Sequence, residues 1–307
     1  VKTLAWFHVG MIPSPITSLV RATAFGILTF AAAFTGLPRL VAADDARPVE
    51  DSSKIATQEV RDKSLPTIFL VGDSTVKVGT KGQKGWGEVI APYFDLSKVN
   101  VVNRAIGGRS SRTFQTEGRW DRVLADLKAG DVVIIQFGHN DAGALNDNSR
   151  ARGTIKGVGE ESQEIDNLLT KKHEVVHSYG WYLRKYVADT KSKGALPIVC
   201  SLVPRKIWTP DGRVARAKDS YAGWAADVAK SAGVPFLDLN EIIAEQYEKL
   251  GKEQVDALFA DAHTHTTEAG ARASARCVIA GLKALPGNPV APYLSKEGQA
   301  VEPAAVH

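Results

Sequence analysis

Ser74 stands in the turn Gly72-Asp73-Ser74-Thr75, directly behind an apolar run, and far downstream Asp261-Ala262-His263-Thr264-His265-Thr266 gathers an acid and two imidazoles. Between them, Gly107-Gly108-Arg109-Ser110 and Gly138-His139-Asn140-Asp141 follow two further apolar runs. Taken singly, a Gly-Asp-Ser or an Asn-Asp is a turn with a helix cap, and a glycine pair is a bend. Together they supply a hydroxyl nucleophile, a backbone donor, an amide donor and a base, which is what acyl transfer requires. No Gly-x-Gly-x-x-Gly and no Gly-x-x-x-x-Gly-Lys-Ser/Thr loop follows the first run, so a dinucleotide or nucleoside triphosphate site loses its main support. Val76 occupies the place of the second glycine of a Gly-x-Ser-x-Gly elbow, which excludes the ordinary α/β-hydrolase arrangement.

Four loops can share one site only if a scaffold brings them to one edge. The runs Thr67–Val71, Val99–Asn103, Asp131–Phe137, Leu196–Val203 and Val234–Leu239 are short and uniformly apolar, the pattern of buried parallel strands. Gly118–Lys128, Val175–Lys193, Asp219–Ala232, Glu241–Leu250 and Glu268–Leu285 read as amphipathic helices, and His173 and His177 open the second of these as solvated residues. Strand and helix alternating in this way predict a three-layer α/β/α fold around a five-stranded parallel sheet, in one domain over residues 65–285. Residues 44–64 read as a linker and residues 286–307 as a polar tail that covers the sheet or frays. In such sheets ligands bind at the carboxyl ends of the strands, where the four loops lie.

The chain has 307 residues, 44% of them hydrophobic, enough to bury a core without disulfide or metal staples. Residues 1–43 contain Lys2, Arg21 and Arg39 but no acid, with an apolar run at 22–37 and Val41-Ala42-Ala43 ahead of Asp44. This is the pattern of a secretory signal peptide, and it predicts a secreted or periplasmic protein. The run is shorter than the roughly 20 residues a membrane span needs, so no stable anchor is expected after cleavage. The whole chain carries 38 Lys+Arg against 34 Asp+Glu; without residues 1–43 the balance is 35 against 34, which is no footprint of a nucleic-acid partner. Cys200 and Cys277 lie in an apolar run and a predicted helix, and read as two buried free thiols.

The Gly72-Asp73-Ser74 block, the Gly108 block and Gly138-x-Asn140-Asp141, in this order and with a late histidine, resemble the SGNH (GDSL) hydrolases. Within that superfamily, Gly85-Trp86-Gly87, Asn103-x-Ala105-x-x-Gly108-Arg109-Ser110-x-Arg112 and His263-Thr264-His265-Thr266 are similar to rhamnogalacturonan acetylesterases. The resemblance implies a flavodoxin-like sheet and a serine esterase that needs no metal or cofactor. Ser74 would be the nucleophile and His265 the base. The N–H groups of Ser74 and Gly108 and the amide of Asn140 would form the oxyanion hole. The family places an Asp three residues before the base, where this chain has Ala262; Asp261, four residues before it, is the expected acid, and a Ser–His dyad is the other option. Asp261-x-His263-x-His265 displays no clear third or fourth ligand, so a metal site is not expected. The implied substrate is an acetylated pectic polysaccharide, acted on by a monomer, with Arg109, Arg112, Trp120 and Arg205 available to uronate carboxylates and sugar rings. The alternatives are an esterase or lipase on other O-acylated substrates such as acetyl-xylan, and a catalytically silent carbohydrate-binding homologue.

Overall fold

The predicted apolar runs form the strands of one sheet. The computed structural model describes residues 59–305, and the expected signal peptide and residues 44–58 of the linker lie outside them. In chain order the strands are β1 (Thr67–Gly72), β2 (Asn100–Asn103), β3 (Val132–Gln136), β4 (Ser162–Asp166), β5 (His173–His177), β6 (Leu196–Cys200) and β7 (Phe236–Leu237). The helices are α1 (Ser111–Thr116), α2 (Arg119–Asp126), α3 (Tyr179–Ser192), α4 (Tyr221–Ala232), α5 (Leu239–Leu250), α6 (Lys252–Asp256), α7 (Glu268–Ala284) and α8 (Lys296–Gln299).

The main sheet has the order β2-β1-β3-β6-β7 with every pairing parallel. Side chains alternate along each strand, so both faces must be covered. Ile68 and Leu70 of β1 join Ile243 of α5 and Val278 and Leu282 of α7 in one core. Phe69 and Val71 point the other way, into a second core with Val123 of α2, Leu183 and Tyr186 of α3 and Ala225 of α4. This is the three-layer α/β/α arrangement expected from the sequence. The strand order reverses beside β1, with β2 on one side and β3 on the other, so a crevice opens at their carboxyl ends.

Three elements depart from the sequence reading. Residues 173–177 form strand β5, paired antiparallel with β4, instead of opening a helix. Val176 turns inward while Val175 stays exposed, which is strand alternation, and Ser178 then starts α3 by accepting a hydrogen bond from Trp181 N–H at 3.0 Å. The last strand of the sheet shrinks to Phe236–Leu237, because Pro235 has no N–H to donate and Asp238 already caps α5. Finally, residues 286–305 pack into the domain: Val290, Leu294 and Val301 are buried in the first core, and Asp95 N–H donates to Tyr293 O at 2.7 Å.

Cys200 and Cys277 are free and buried, as read from the sequence, and burial pushes the Cys277 thiol up to about 12. No helix among the described residues is long and apolar enough to cross a membrane.

Candidate active site

Ser74 sits in the turn that ends β1, and a buried polar chain fixes that turn from below. Asp73 Oδ1 accepts from Thr75 N–H at 2.9 Å and Thr75 Oγ1 at 2.7 Å, Gln136 Nε2 donates to Thr75 Oγ1 at 2.6 Å, and Trp86 Nε1 donates to Gln136 Oε1 at 2.8 Å. Gly85 is required beside this turn, since a Cβ there would lie 2.3 Å from the Val76 carbonyl carbon. The sequence signalled the Gly85-Trp86-Gly87 segment but not Gln136, which reads there only as part of the apolar run Asp131–Phe137.

The histidine loop meets Ser74 from the far end of the chain. Lys84 N–H donates to Thr266 O at 2.9 Å and Thr266 Oγ1 donates to Lys84 O at 2.7 Å, pinning the loop beside the Gly85 segment just ahead of α7. His265 Nε2 lies 2.9 Å from Ser74 Oγ, and His265 Nδ1 lies 2.5 Å from Asp261 Oδ2. The second carboxylate oxygen, Asp261 Oδ1, accepts from the backbone N–H groups of His263, Thr264 and His265 at 3.0, 2.7 and 3.0 Å. The loop thus winds around Asp261, which lets an acid four residues before the histidine reach its ring. An Nδ1–H held by a carboxylate leaves Nε2 unprotonated toward the serine, the tautomer a base must have.

The third and fourth loops converge on the same edge. Gly108 has φ +79°, a left-handed conformation that favours glycine, and a Cβ on Gly107 would stand 3.5 Å from Ser74 Cβ, so this turn lies against the nucleophile. Asn140 Nδ2 donates one hydrogen to Arg109 O at 2.9 Å, which ties the amide to that turn and leaves its second hydrogen. Among the described residues neither Ser74 N–H nor Gly108 N–H donates to a protein acceptor. Asp141, next to Asn140, accepts from Ser111 Oγ at 2.5 Å and Ser111 N–H at 3.1 Å, clamping the β3 exit to the start of α1. Burial raises the Asp141 carboxyl to about 7. Burial also lowers His139 to about 4, and the ring is packed at the β3 exit beside Asn140.

Of the four residues expected to face a substrate, three are committed to the fold. Trp120 is 1% exposed, stands edge-on to Tyr186 with ring centroids 4.8 Å apart and donates Nε1–H to Asp189 at 2.8 Å, so no ring face is open to a sugar. Arg112 is 0% exposed; its guanidinium forks onto Glu174 at 2.7 Å twice and donates to the carbonyls of Leu145 and Gly153. Arg109 pairs with Glu117 at 3.0 Å and donates to Gly107 O at 3.1 Å, where it braces the turn that carries Gly108. Arg205 remains at the site: it is half-buried, and Nη1 donates to His263 Nδ1 at 3.3 Å. Sequence reasoning missed Arg152, whose Nη1 donates to Gly108 O at 3.3 Å from a loop without a motif.

The arrangement can therefore carry nucleophilic acyl transfer: a serine with an imidazole base, an acid behind it, and donors on the facing loops. Comparison with known proteins points the same way. The chain is 36% identical over 204 residues to a protein of Emericella nidulans named rhamnogalacturonan acetylesterase, covering 66% of this chain and 79% of that one. It is 31% identical over 237 residues to YesY of Bacillus subtilis, named a probable rhamnogalacturonan acetylesterase, covering 75% of this chain and 98% of that one. The crystal structure of YxiM from Bacillus subtilis matches with a TM-score of 0.58 at 26% identity, over 72% of this chain but only 56% of that longer one. The sequence model of the GDSL-like lipase/acylhydrolase family matches residues 70–273, more than half the chain and all four loops, and the chain belongs to that family.

Proposed function

We propose that the protein is a serine esterase that removes O-acetyl groups from an acidic pectic polysaccharide of the rhamnogalacturonan type. The carrying observation is the continuous chain from Ser74 Oγ through His265 to Asp261, at 2.9 and 2.5 Å. Ser74 Oγ attacks the acetyl carbonyl while His265 Nε2 takes its proton. The tetrahedral oxyanion is met by the N–H groups of Ser74 and Gly108 and the remaining hydrogen of Asn140 Nδ2, donors already in place before charge develops. As the intermediate collapses, His265 passes its proton to the leaving sugar oxygen, and water then repeats the cycle on the acetyl-serine. Every proton in this sequence moves on a protein side chain or water.

The substrate assignment is supported by the names of the two similar acetylesterases and by Arg205, a cation beside the histidine loop that suits a uronate carboxylate. A polymeric substrate of this kind fits a protein exported by cleavage after Ala43. A panel of acetylated pectin, acetylated xylan and p-nitrophenyl esters of rising chain length tests the reading. Acetate release that is fastest from pectin, with acetyl preferred among the simple esters, is the expected pattern; release from xylan without pectin contradicts the substrate class, and preference for long chains contradicts the acetyl group.

A further inference from the structure

The turn that carries Gly108 is gripped by its oxygens. Three successive carbonyls each accept a side-chain hydrogen bond: Gly107 O from Arg109 Nη1 at 3.1 Å, Gly108 O from Arg152 Nη1 at 3.3 Å and Arg109 O from Asn140 Nδ2 at 2.9 Å. The backbone adds a long bond of its own, from Arg109 N–H to Ile106 O at 3.4 Å. Glycine is the residue least able to hold its own conformation, so these grips decide how the peptides on either side of Gly108 are turned. Two of the three come from guanidinium cations, whose hydrogen bonds are stronger than those of neutral donors.

The Arg109 contact falls on the peptide whose N–H belongs to Gly108. In a trans peptide C=O and N–H point in opposite directions, so a cation on Gly107 O stands behind the peptide and leaves the Gly108 N–H on the other side. A hydrogen bond at the oxygen also polarises the peptide and strengthens its N–H as a donor. Arg152 reaches the next carbonyl from a clamped stretch of chain. Gly153 N–H donates to Ala144 O at 2.8 Å, Thr154 N–H donates to Asp141 O at 3.0 Å, and Gly153 O accepts from the buried Arg112 at 2.8 Å. Ala151, just before it, has φ +40°, a strained conformation for a residue with a Cβ, and its N–H donates to Asp147 Oδ1 at 3.1 Å. Such strain persists only where the surroundings over-determine it, and it clusters at reacting centres.

We propose that Arg109 and Arg152 are positioning residues of the oxyanion hole: they fix the carbonyls on either side of the Gly108 α-carbon and aim its N–H at the charge that develops on the acetyl oxygen. The inference rests on the esterase reading above, but not on the polysaccharide. Arg109→Met and Arg152→Met are assayed on p-nitrophenyl acetate and titrated with methylboronic acid, whose boron takes up Ser74 Oγ and places an oxygen where the oxyanion forms. When Arg109 is replaced, Glu117 keeps Arg119 at 2.6 Å, so no carboxylate is left unpaired. Outright loss of an oxyanion donor costs about 10²–10³ in kcat, and loosening one should cost about tenfold. Each variant should lower kcat by that factor with KM within about twofold, weaken methylboronic acid about as much, and leave the pH–rate profile in place because His265 is untouched. Arg152→Lys, which keeps a charged donor, should recover part of the loss. A kcat and a boronate affinity within about twofold of wild type in both variants overturn the proposal. A raised KM at unchanged kcat overturns it too, since the arginines would then be holding substrate. Hydrolysis of p-nitrophenyl acetate without release from pectin defeats the substrate reading alone, and the boronate affinities still decide the role of the arginines.

Discussion

Asp261 uses its two oxygens for different purposes, and this separates its roles experimentally. Oδ1 holds three backbone N–H groups and shapes the loop, while Oδ2 orients His265. Asn keeps one acceptor oxygen for the loop but presents an amide N–H to His265 Nδ1, which favours the wrong tautomer. Asp261→Asn should therefore fold normally and lose about 10³–10⁴ in kcat, as checked by steady-state kinetics alongside a thermal melt. A near-normal kcat would leave a Ser–His dyad instead. Asn140→Ala should lower kcat by about 10²–10³, since one oxyanion donor contributes about 3–4 kcal/mol to the transition state. Turnover close to wild type would remove Asn140 from the site. That Ser74, Gly108, Asn140 and His265 belong together was legible in the sequence from the order of their short motifs and its resemblance to the SGNH hydrolases. The roles of Arg109, Arg112 and Trp120 were not, because an arginine or indole in a sequence shows no partner: Glu117, Glu174 and Asp189 meet them from 8, 62 and 69 residues away.

At the scale of elements, the β4–β5 hairpin is the part that sequence patterning misplaced, and it is where Arg112 of α1 is anchored. The Arg112–Glu174 fork joins α1 to β5, and Arg112 also holds the chain at Leu145 and Gly153. Replacing Arg112 with Met leaves Glu174 with only Asn167 Nδ2 of its side-chain partners, and the expected loss is about 3–5 kcal/mol in chemical denaturation. A change below about 0.5 kcal/mol would mean the joint is dispensable. The β3 exit carries two groups whose titrations oppose each other. Asp141, raised to about 7, keeps its proton in the folded state after the unfolded chain has released it, so it makes stability fall as pH rises from about 4 to 7. His139, lowered to about 4, is protonated first in the unfolded chain, so it makes stability rise from about pH 4 to 6.5. Asp141→Asn removes only the first slope. Its stability relative to wild type should therefore improve steadily between pH 4 and 7 in denaturant melts, and a constant difference would contradict the assignment.

For the molecule as a whole, the layered fold was legible because its signal is periodic and repeated: five apolar runs, each buried on both faces, can only be covered by helices on two sides. Helix α1, the hairpin and the packed residues 286–305 were hidden, since short or polar elements are stabilised by distant partners and not by their own pattern. Charge follows the same division. The arginines around the second loop look like a basic patch in the sequence, but Arg104, Arg109, Arg112 and Arg119 are each paired with Asp126, Glu117 or Glu174. What remains for an acidic substrate is local, at Arg205. The central claim, an acetylesterase acting through Ser74 on an acidic polysaccharide, is tested most directly by acetate release from acetylated rhamnogalacturonan by the wild-type protein and by Ser74→Ala. The wild type should release acetate, and Ser74→Ala should be slower by about 10⁴ or more. Release by both at similar rates, or by neither from folded protein, would contradict it.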